Sequence, residues 1–182
     1  CKYAFFSCTI LAKVEIPKNS NLQTIERNAF SRLAIEEIFI PPNVTKICES
    51  TFSNCKYLKK VEISENSNLQ TIERNAFSNS KIEEIYLPKS LIELKEGWFS
   101  DTSRLTNIIL SPYNNQFILK DGKYIIGKSD PNNEEFDNFI FVRRDIKEIC
   151  IPSNIKIISS YSFQNSNIKE ISIPPSVTKI GE

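Results

Sequence analysis

The stretch NSNLQTIERNAFS occupies residues 19–31 and returns letter for letter at 66–78, a spacing of 47 residues. It mixes apolar, amide, charged and aromatic residues, so it is a duplication rather than a low-complexity tract. A duplication persists only if each copy can serve as a similar physical unit. Alignment shows that each copy is itself two units. The segments LAKVEIPKN (11–19), IEEIFIPPN (35–43), LKKVEISEN (58–66), IEEIYLPKS (82–90), LTNIILSPY (105–113), IKEICIPSN (146–154) and IKEISIPPS (168–176) superimpose without gaps. Their starts lie 24, 23, 24, 23, 41 and 22 residues apart. No unit of that size can close a core alone, whereas stacked copies can, each covering the apolar edge of its neighbour.

Within a unit the I-x-I alternation predicts a strand with one face inward. Pro17, Pro41, Pro88, Pro152 and Pro174 then end the strand, because proline cannot donate to a ladder. Asn19, Asn43, Asn66 and Asn154 fill the closing slot, where an inward amide is expected to satisfy backbone groups at the bend. Ser90 and Ser176 can do this more weakly, and Tyr113 breaks the column. A V/L-x-x-I pair follows, then an aromatic: Phe30, Phe52, Phe77, Phe99 and Phe163, with Phe5 or Phe6 in the incomplete first copy. ERNAF and CESTF are too short to hold a helix alone, and predict one helical turn carrying its Phe inward. The expected fold is α/β: a single right-handed leucine-rich-repeat solenoid of about seven rungs, with a continuous parallel sheet on one side and short helical turns on the other. Repeats would fill 1–111 and 145–182, around an island at 112–144.

The pattern I-x-I-P-x-x-V-x-x-I-x-x-x-x-F resembles the BspA-like (type 5) leucine-rich-repeat proteins, surface proteins of anaerobic bacteria and parasitic protists. PPNVTKI (41–47) and PPSVTKIGE (174–182) carry that family's turn. The resemblance covers nearly the whole chain. It implies a cell-surface or secreted module that adheres to host proteins or other cells.

The island holds an Asp121-Gly122 turn between FILK and KYII, the strongest short hairpin signal. A polar loop with Pro131 follows, then a third strand candidate at 139–142. Two readings stand: a hairpin that continues the solenoid, or a binding loop projecting from its edge. The whole island is similar to an insert found between repeats of BspA-like proteins.

Several chemistries are disfavoured. The chain has no histidine, which removes the commonest general base near neutral pH and the commonest metal ligand. A net charge of +1 gives no electrostatic reason to expect a nucleic-acid or polyanion partner. No apolar run is long enough to span a bilayer, and the first residues do not read as a signal peptide. The repeat opens and closes mid-pattern, so the chain reads as a piece of a longer protein. Glu36-Glu37, Glu83-Glu84 and Glu134-Glu135 are neighbours in sequence; on a strand they point to opposite faces and cannot share a substrate. No cofactor, metal or catalytic residue is expected. Cys1, Cys8, Cys48, Cys55 and Cys150 show no metal spacing and are expected as packing thiols. The sequon at Asn43 is expected to stay unglycosylated, because its asparagine is assigned inward.

The outward slots of the strands carry the functional expectation. One file reads Glu15, Phe39, Glu62, Tyr86, Ile109, Cys150 and Ser172; the other reads Lys13, Glu37, Lys60, Glu84, Asn107, Glu148 and Glu170. Phe39, Tyr86 and Ile109 put apolar surface where a plain sheet face would be polar, with Glu37, Lys60, Glu62 and Glu84 as rim. Apolar patches rimmed by charge mark protein contact sites, and aromatics dominate their energetics. The expectation is a non-enzymatic protein-binding module whose partner is a host extracellular-matrix or cell-surface protein. Self-association through uncapped ends is a further possibility. The competing reading is an intracellular scaffold or inhibitor with a protein partner.

Overall fold

A computed structural model, in which residues 1–181 are described, stacks the units into a β-solenoid of about seven turns. Short and long strands alternate along the chain: β1 (Thr24–Ile25), β2 (Glu37–Ile40), β3 (Lys46–Ile47), β4 (Lys60–Ile63), β5 (Thr71–Ile72), β6 (Glu84–Leu87), β7 (Glu93–Leu94) and β8 (Asn107–Leu110). The long strands form one parallel sheet in the order β2-β4-β6-β8, and the short ones form a second, β1-β3-β5-β7. Register follows the repeat: Ile38 lies opposite Val61, Ile85 opposite Ile108, and Ile25 opposite Ile47. All of these are buried, so equivalent residues form straight apolar files, as the alternation requires.

The third side of each turn differs from expectation. No helix occurs among the described residues. The Phe-bearing segments carry two residues of positive φ flanking the aromatic: Asn28 and Arg32 around Phe30, Ser50 and Asn54 around Phe52, Asn75 and Asn79 around Phe77, Gly97 and Asp101 around Phe99. A left-handed residue breaks a right-handed helical run. The amides freed in this way donate to the next turn instead: Asn28 to the Glu49 carbonyl at 3.1 Å, Phe30 to Thr51 at 3.0 Å, Arg32 to Ser53 at 2.9 Å. This side is therefore stitched between turns much as a sheet is. Asn takes four of these eight positions and Gly one, because these residues tolerate positive φ best.

The aromatic of each turn does point inward. Phe5, Phe30, Phe52, Phe77 and Phe99 make a ladder with successive ring centroids 5.5, 5.5, 5.5 and 5.1 Å apart. Phe5, and not Phe6, is the first rung by its stacking on Phe30, although both rings are exposed at this end of the stack; Phe6 lies under the Arg32 guanidinium. Two further expectations are corrected. The closing asparagines are exposed rather than inward: Asn43 and Asn154 donate to the Ser20 and Phe136 carbonyls from the rim of the stack. Burial therefore does not shield the Asn43 sequon. Beside Tyr113, Asn114 restores the column, donating to the Pro88 and Leu91 carbonyls at 3.0 and 2.8 Å. The long sheet is also shorter than the pattern. Residues 11–16, 146–151 and 168–173 carry the alternation without forming strands. The Ala34 and Arg144 amides still donate to the Leu11 and Leu105 carbonyls, but the ladder goes no further there.

The island is built into the stack. Strands β9 (Phe117–Lys120) and β10 (Tyr124–Gly127) are antiparallel, and Asp121 and Gly122 between them both have positive φ, as a tight hairpin turn demands. Strand β11 (Asn138–Val142) pairs antiparallel with β10 and parallel with β12 (Ile157–Ile158), which pairs with β13 (Lys179–Ile180). The run FIFV is buried on both faces. Ile140 and Phe141 join the larger core on one side, while Phe139 and Val142 join a smaller one on the other. A strand walled by two cores reads as a continuous apolar run rather than an alternation. Phe139 stacks between Tyr124 and Phe163, at 5.1 and 4.8 Å, and so carries the aromatic ladder onward.

Candidate functional site

The outer face of the long sheet gathers the residues singled out above. Pairing of Glu37 with Lys60, Lys60 with Glu84 and Glu84 with Asn107 makes one file of alternating charge ending in an amide. Phe39 pairs with Glu62, and Tyr86 with Ile109, in the neighbouring file. The file is therefore Phe39, Glu62, Tyr86, Ile109. The structure brings Tyr86 and Ile109 side by side and separates Phe39 from them by one carboxylate.

Ile109 is 43% exposed, whereas Phe39 and Tyr86 are half-buried; the Tyr86 ring leans against the core between inward residues. Opposite charges on neighbouring strands offset one another. Lys59 Nζ lies 3.1 Å from Glu36, Arg104 lies 3.6 Å from Glu83, and Lys60 reaches along its own strand to Glu62 at 3.4 Å. Each such exposed pair adds little stability, about 0–1 kcal/mol, so the charges shape recognition more than folding. Asn107 donates its amide to Glu84.

Phe39 also floors a depression of about 1110 Å³ where residues 12–18 pass the edge of β2. Lys18 Nζ lies 5.9 Å from its ring centroid, and the Lys13–Glu15 ion pair borders the same space. Mutual hydrogen bonding holds the Lys13 ammonium above its ordinary pKa and the Glu15 carboxyl below its own. This depression did not show in the outward-slot pattern, because residues 11–16 were expected to pair with β2 and leave no gap.

Among the described residues no group of histidine, cysteine and acidic side chains could hold a metal ion. The cysteines are all free. Cys48 and Cys55 are buried, whereas Cys1, Cys8 and Cys150 are exposed, so packing accounts for two of the five. Burial pushes the Cys55 thiol up to about 11, and its Sγ lies 3.1 Å from the Phe30 carbonyl. No helix among the described residues is long and apolar enough to cross a membrane.

The stacked parallel strands, the inward files and the laterally bonded turns define a leucine-rich-repeat solenoid, a class whose repeats serve as protein-interaction scaffolds. The chain belongs to the BspA type leucine rich repeat region family, which it matches in six copies over residues 1–106 and 126–182. Among solved structures, the pneumococcal vaccine antigen PcpA is similar at 31% identity and a TM-score of 0.81, over 91% of this chain and 40% of its own. A leucine rich cell surface protein of Faecalibacterium prausnitzii shares the fold at 22% identity and a TM-score of 0.78, over 99% of this chain and 53% of its own. A leucine-rich repeat protein of Eubacterium ventriosum does so at 22% identity and a TM-score of 0.69, over 90% and 48%. This chain thus spans about half the length of those solved proteins, or less. Among curated proteins, none matches it in sequence.

Proposed function

We propose that this chain is a non-enzymatic protein-binding module of a cell-surface BspA-like protein, mediating adhesion to host or other cells through the outer face of the long sheet. The observation that carries the reading is the Tyr86–Ile109 pair, with Phe39 two rungs from Tyr86 across Glu62, set in a field of alternating charge on a rigid scaffold. Tyr86 and Phe39 are rings already half-held by the fold, so a partner immobilises them at small entropic cost. Glu37, Lys60, Glu62 and Glu84 rim the anchors and select a partner of complementary charge. Family membership supports the reading, and the Faecalibacterium relative is described as a cell surface protein.

The test is to change Phe39, Tyr86 and Ile109 to serine, singly and together. Binding to immobilised extracellular-matrix proteins is measured alongside urea unfolding. Loss of binding in the triple variant, with the fold retained, is the expected result. Full binding by a folded triple variant rules out this face.

A further inference from the structure

A cleft lies on the flank of the solenoid, and its origin is a difference in repeat length. From Phe52 to Leu58, and again from Phe99 to Leu105, the chain carries one residue more than from Phe77 to Ile82. The extra residues are Tyr57 and Arg104. In the stack the shorter turn lies between two longer ones, and a cleft of about 500 Å³ opens over it. Its lining includes Lys56, Tyr57, Ser80, Lys81, Asp101 and Arg104.

The charge balance of this cleft is one-sided. Lys56 and Lys81 form no ion pair among the described residues, and Arg104 is held only at 3.6 Å by Glu83. Asp101 is the one acid on the lining, and it is engaged elsewhere: its carboxylate accepts from Gln164 Nε2 at 3.0 Å, and its backbone N–H donates to Gln164 Oε1 at 2.9 Å. The Tyr57 ring is 55% exposed, with Lys81 Nζ 5.6 Å from its centroid. Ser80, 6% exposed, has a buried hydroxyl with no hydrogen-bond partner. In the same slot of the adjoining turns, Cys55 and Thr102 reach the Phe30 and Phe99 carbonyls. A buried hydroxyl left unpaired costs about 1–3 kcal/mol.

We propose that this cleft binds an acidic oligosaccharide, a short sugar chain bearing sulfate or carboxylate groups. Lys56, Lys81 and Arg104 come from three successive turns whose backbones stack about 5 Å apart, a repeat that suits charges recurring along a sugar chain. Charge-assisted hydrogen bonds from Lys56, Lys81 and Arg104 hold the acidic groups. The Tyr57 ring offers a flat apolar platform for a sugar face. The volume exceeds what a lone inorganic anion fills. The site does not depend on the sheet face, which lies around the turn from it.

Calorimetric titration of the whole chain with a heparin hexasaccharide, an oligogalacturonate and neutral maltohexaose tests this at low salt. Binding of an acidic probe without binding of maltohexaose is expected, and the better of the two acidic probes identifies the acidic group. Lys56→Ala and Lys81→Ala should each weaken binding about tenfold. Tyr57→Ser should weaken it too, while Lys169→Ala and Tyr86→Ser leave it unchanged. These are surface changes, and thermal unfolding confirms that each variant is folded. The proposal is overturned if neither acidic probe binds, if the Lys56→Ala/Lys81→Ala double variant binds as tightly as the parent, or if Lys169→Ala weakens binding equally. Inorganic sulfate binding as tightly as the hexasaccharide would overturn it as well, since the site would then be for a simple anion.

Discussion

Replacing Arg144 with methionine asks whether a buried charge holds this fold together or merely survives in it. The side chain is 2% exposed. Its Nε donates to the Thr102 carbonyl at 3.1 Å, and its two terminal nitrogens donate to the Phe99 and Ser162 carbonyls at 3.4 Å each. The guanidinium lies 4.2 Å from the Phe141 ring centroid. It forms no ion pair among the described residues. Burial pushes its pKa down from the ordinary guanidinium range to about 10, with the Asp101 charge pulling partly back. A shift of that size means that the charge opposes folding by about 3 kcal/mol. Methionine removes that opposition and keeps an unbranched apolar stem. It forfeits the cation–π contact, worth about 2 kcal/mol when desolvated. It also leaves one carbonyl unpaired, at about 1–3 kcal/mol. Only the Thr102 carbonyl is orphaned, because the Phe99 carbonyl keeps the Thr102 hydroxyl at 2.7 Å and the Ser162 carbonyl keeps the Val142 N–H at 3.1 Å.

Those contributions nearly cancel, so Arg144→Met should lie within about 2 kcal/mol of the parent, whereas Arg144→Ala adds a cavity at about 2–5 kcal/mol. Urea unfolding followed by Trp98 fluorescence reads both, since Trp98 is the only tryptophan and lies 5.6 Å from Phe141. The pH dependence provides a second reading. The folded value is below the unfolded one, so above about pH 10 the unfolded chain holds the extra proton and the Arg144 contribution to stability rises with pH. The parent should gain that increment relative to Arg144→Met. A methionine variant weakened by more than about 4 kcal/mol refutes the reasoning, because the buried cation would then be a large net stabiliser.

Two further outcomes follow from the packing. Phe77 is fully buried between Phe52 and Phe99, so Phe77→Ala should cost about 3–5 kcal/mol in chemical denaturation; a loss under about 1 kcal/mol would remove it from the ladder. Asp137 is buried, and desolvation pushes its carboxyl up. The Ser129 hydroxyl at 2.9 Å, the Ser129 N–H at 3.0 Å and the Lys156 charge outweigh that and hold it below its ordinary 3.8. With a depressed folded value, its contribution is present above the unfolded pKa and is lost as pH falls through the folded one. Between about pH 5 and 2 the parent should therefore lose more stability than Asp137→Asn; parallel curves would show that the carboxylate is not stabilised there.

The candidate site divides along similar lines. The files Phe39–Glu62–Tyr86–Ile109 and Glu37–Lys60–Glu84–Asn107 were legible because register on a half-buried sheet follows from the period of two. How far each ring stands out was not legible: Tyr86 leans into the core while Ile109 does not, and slot periodicity is blind to tilt. The flank cleft left a trace in the sequence, the single extra residue at Tyr57 and Arg104. That trace gains meaning only once neighbouring turns are superposed, since one turn alone has no recess. The left-handed residues around each Phe were signalled by Asn28, Asn75 and Asn79, but ERNAF reads locally as a helical turn.

Determined by the order of residues alone were the repeat, its strand, the inward isoleucines and the aromatic of every turn, because solvent exclusion acts on local periodicity. Tertiary structure decided where the backbone amides of the Phe-bearing turns go, that the closing asparagines lie on the rim, that β10 and β11 wall off two cores, and that Arg144 is enclosed. Each of those depends on what a neighbouring turn offers, a carbonyl, a ring or a gap. Such partners lie far along the chain, 18 residues from Asn154 to Phe136 and 42 from Arg144 to Thr102, beyond the reach of any local pattern.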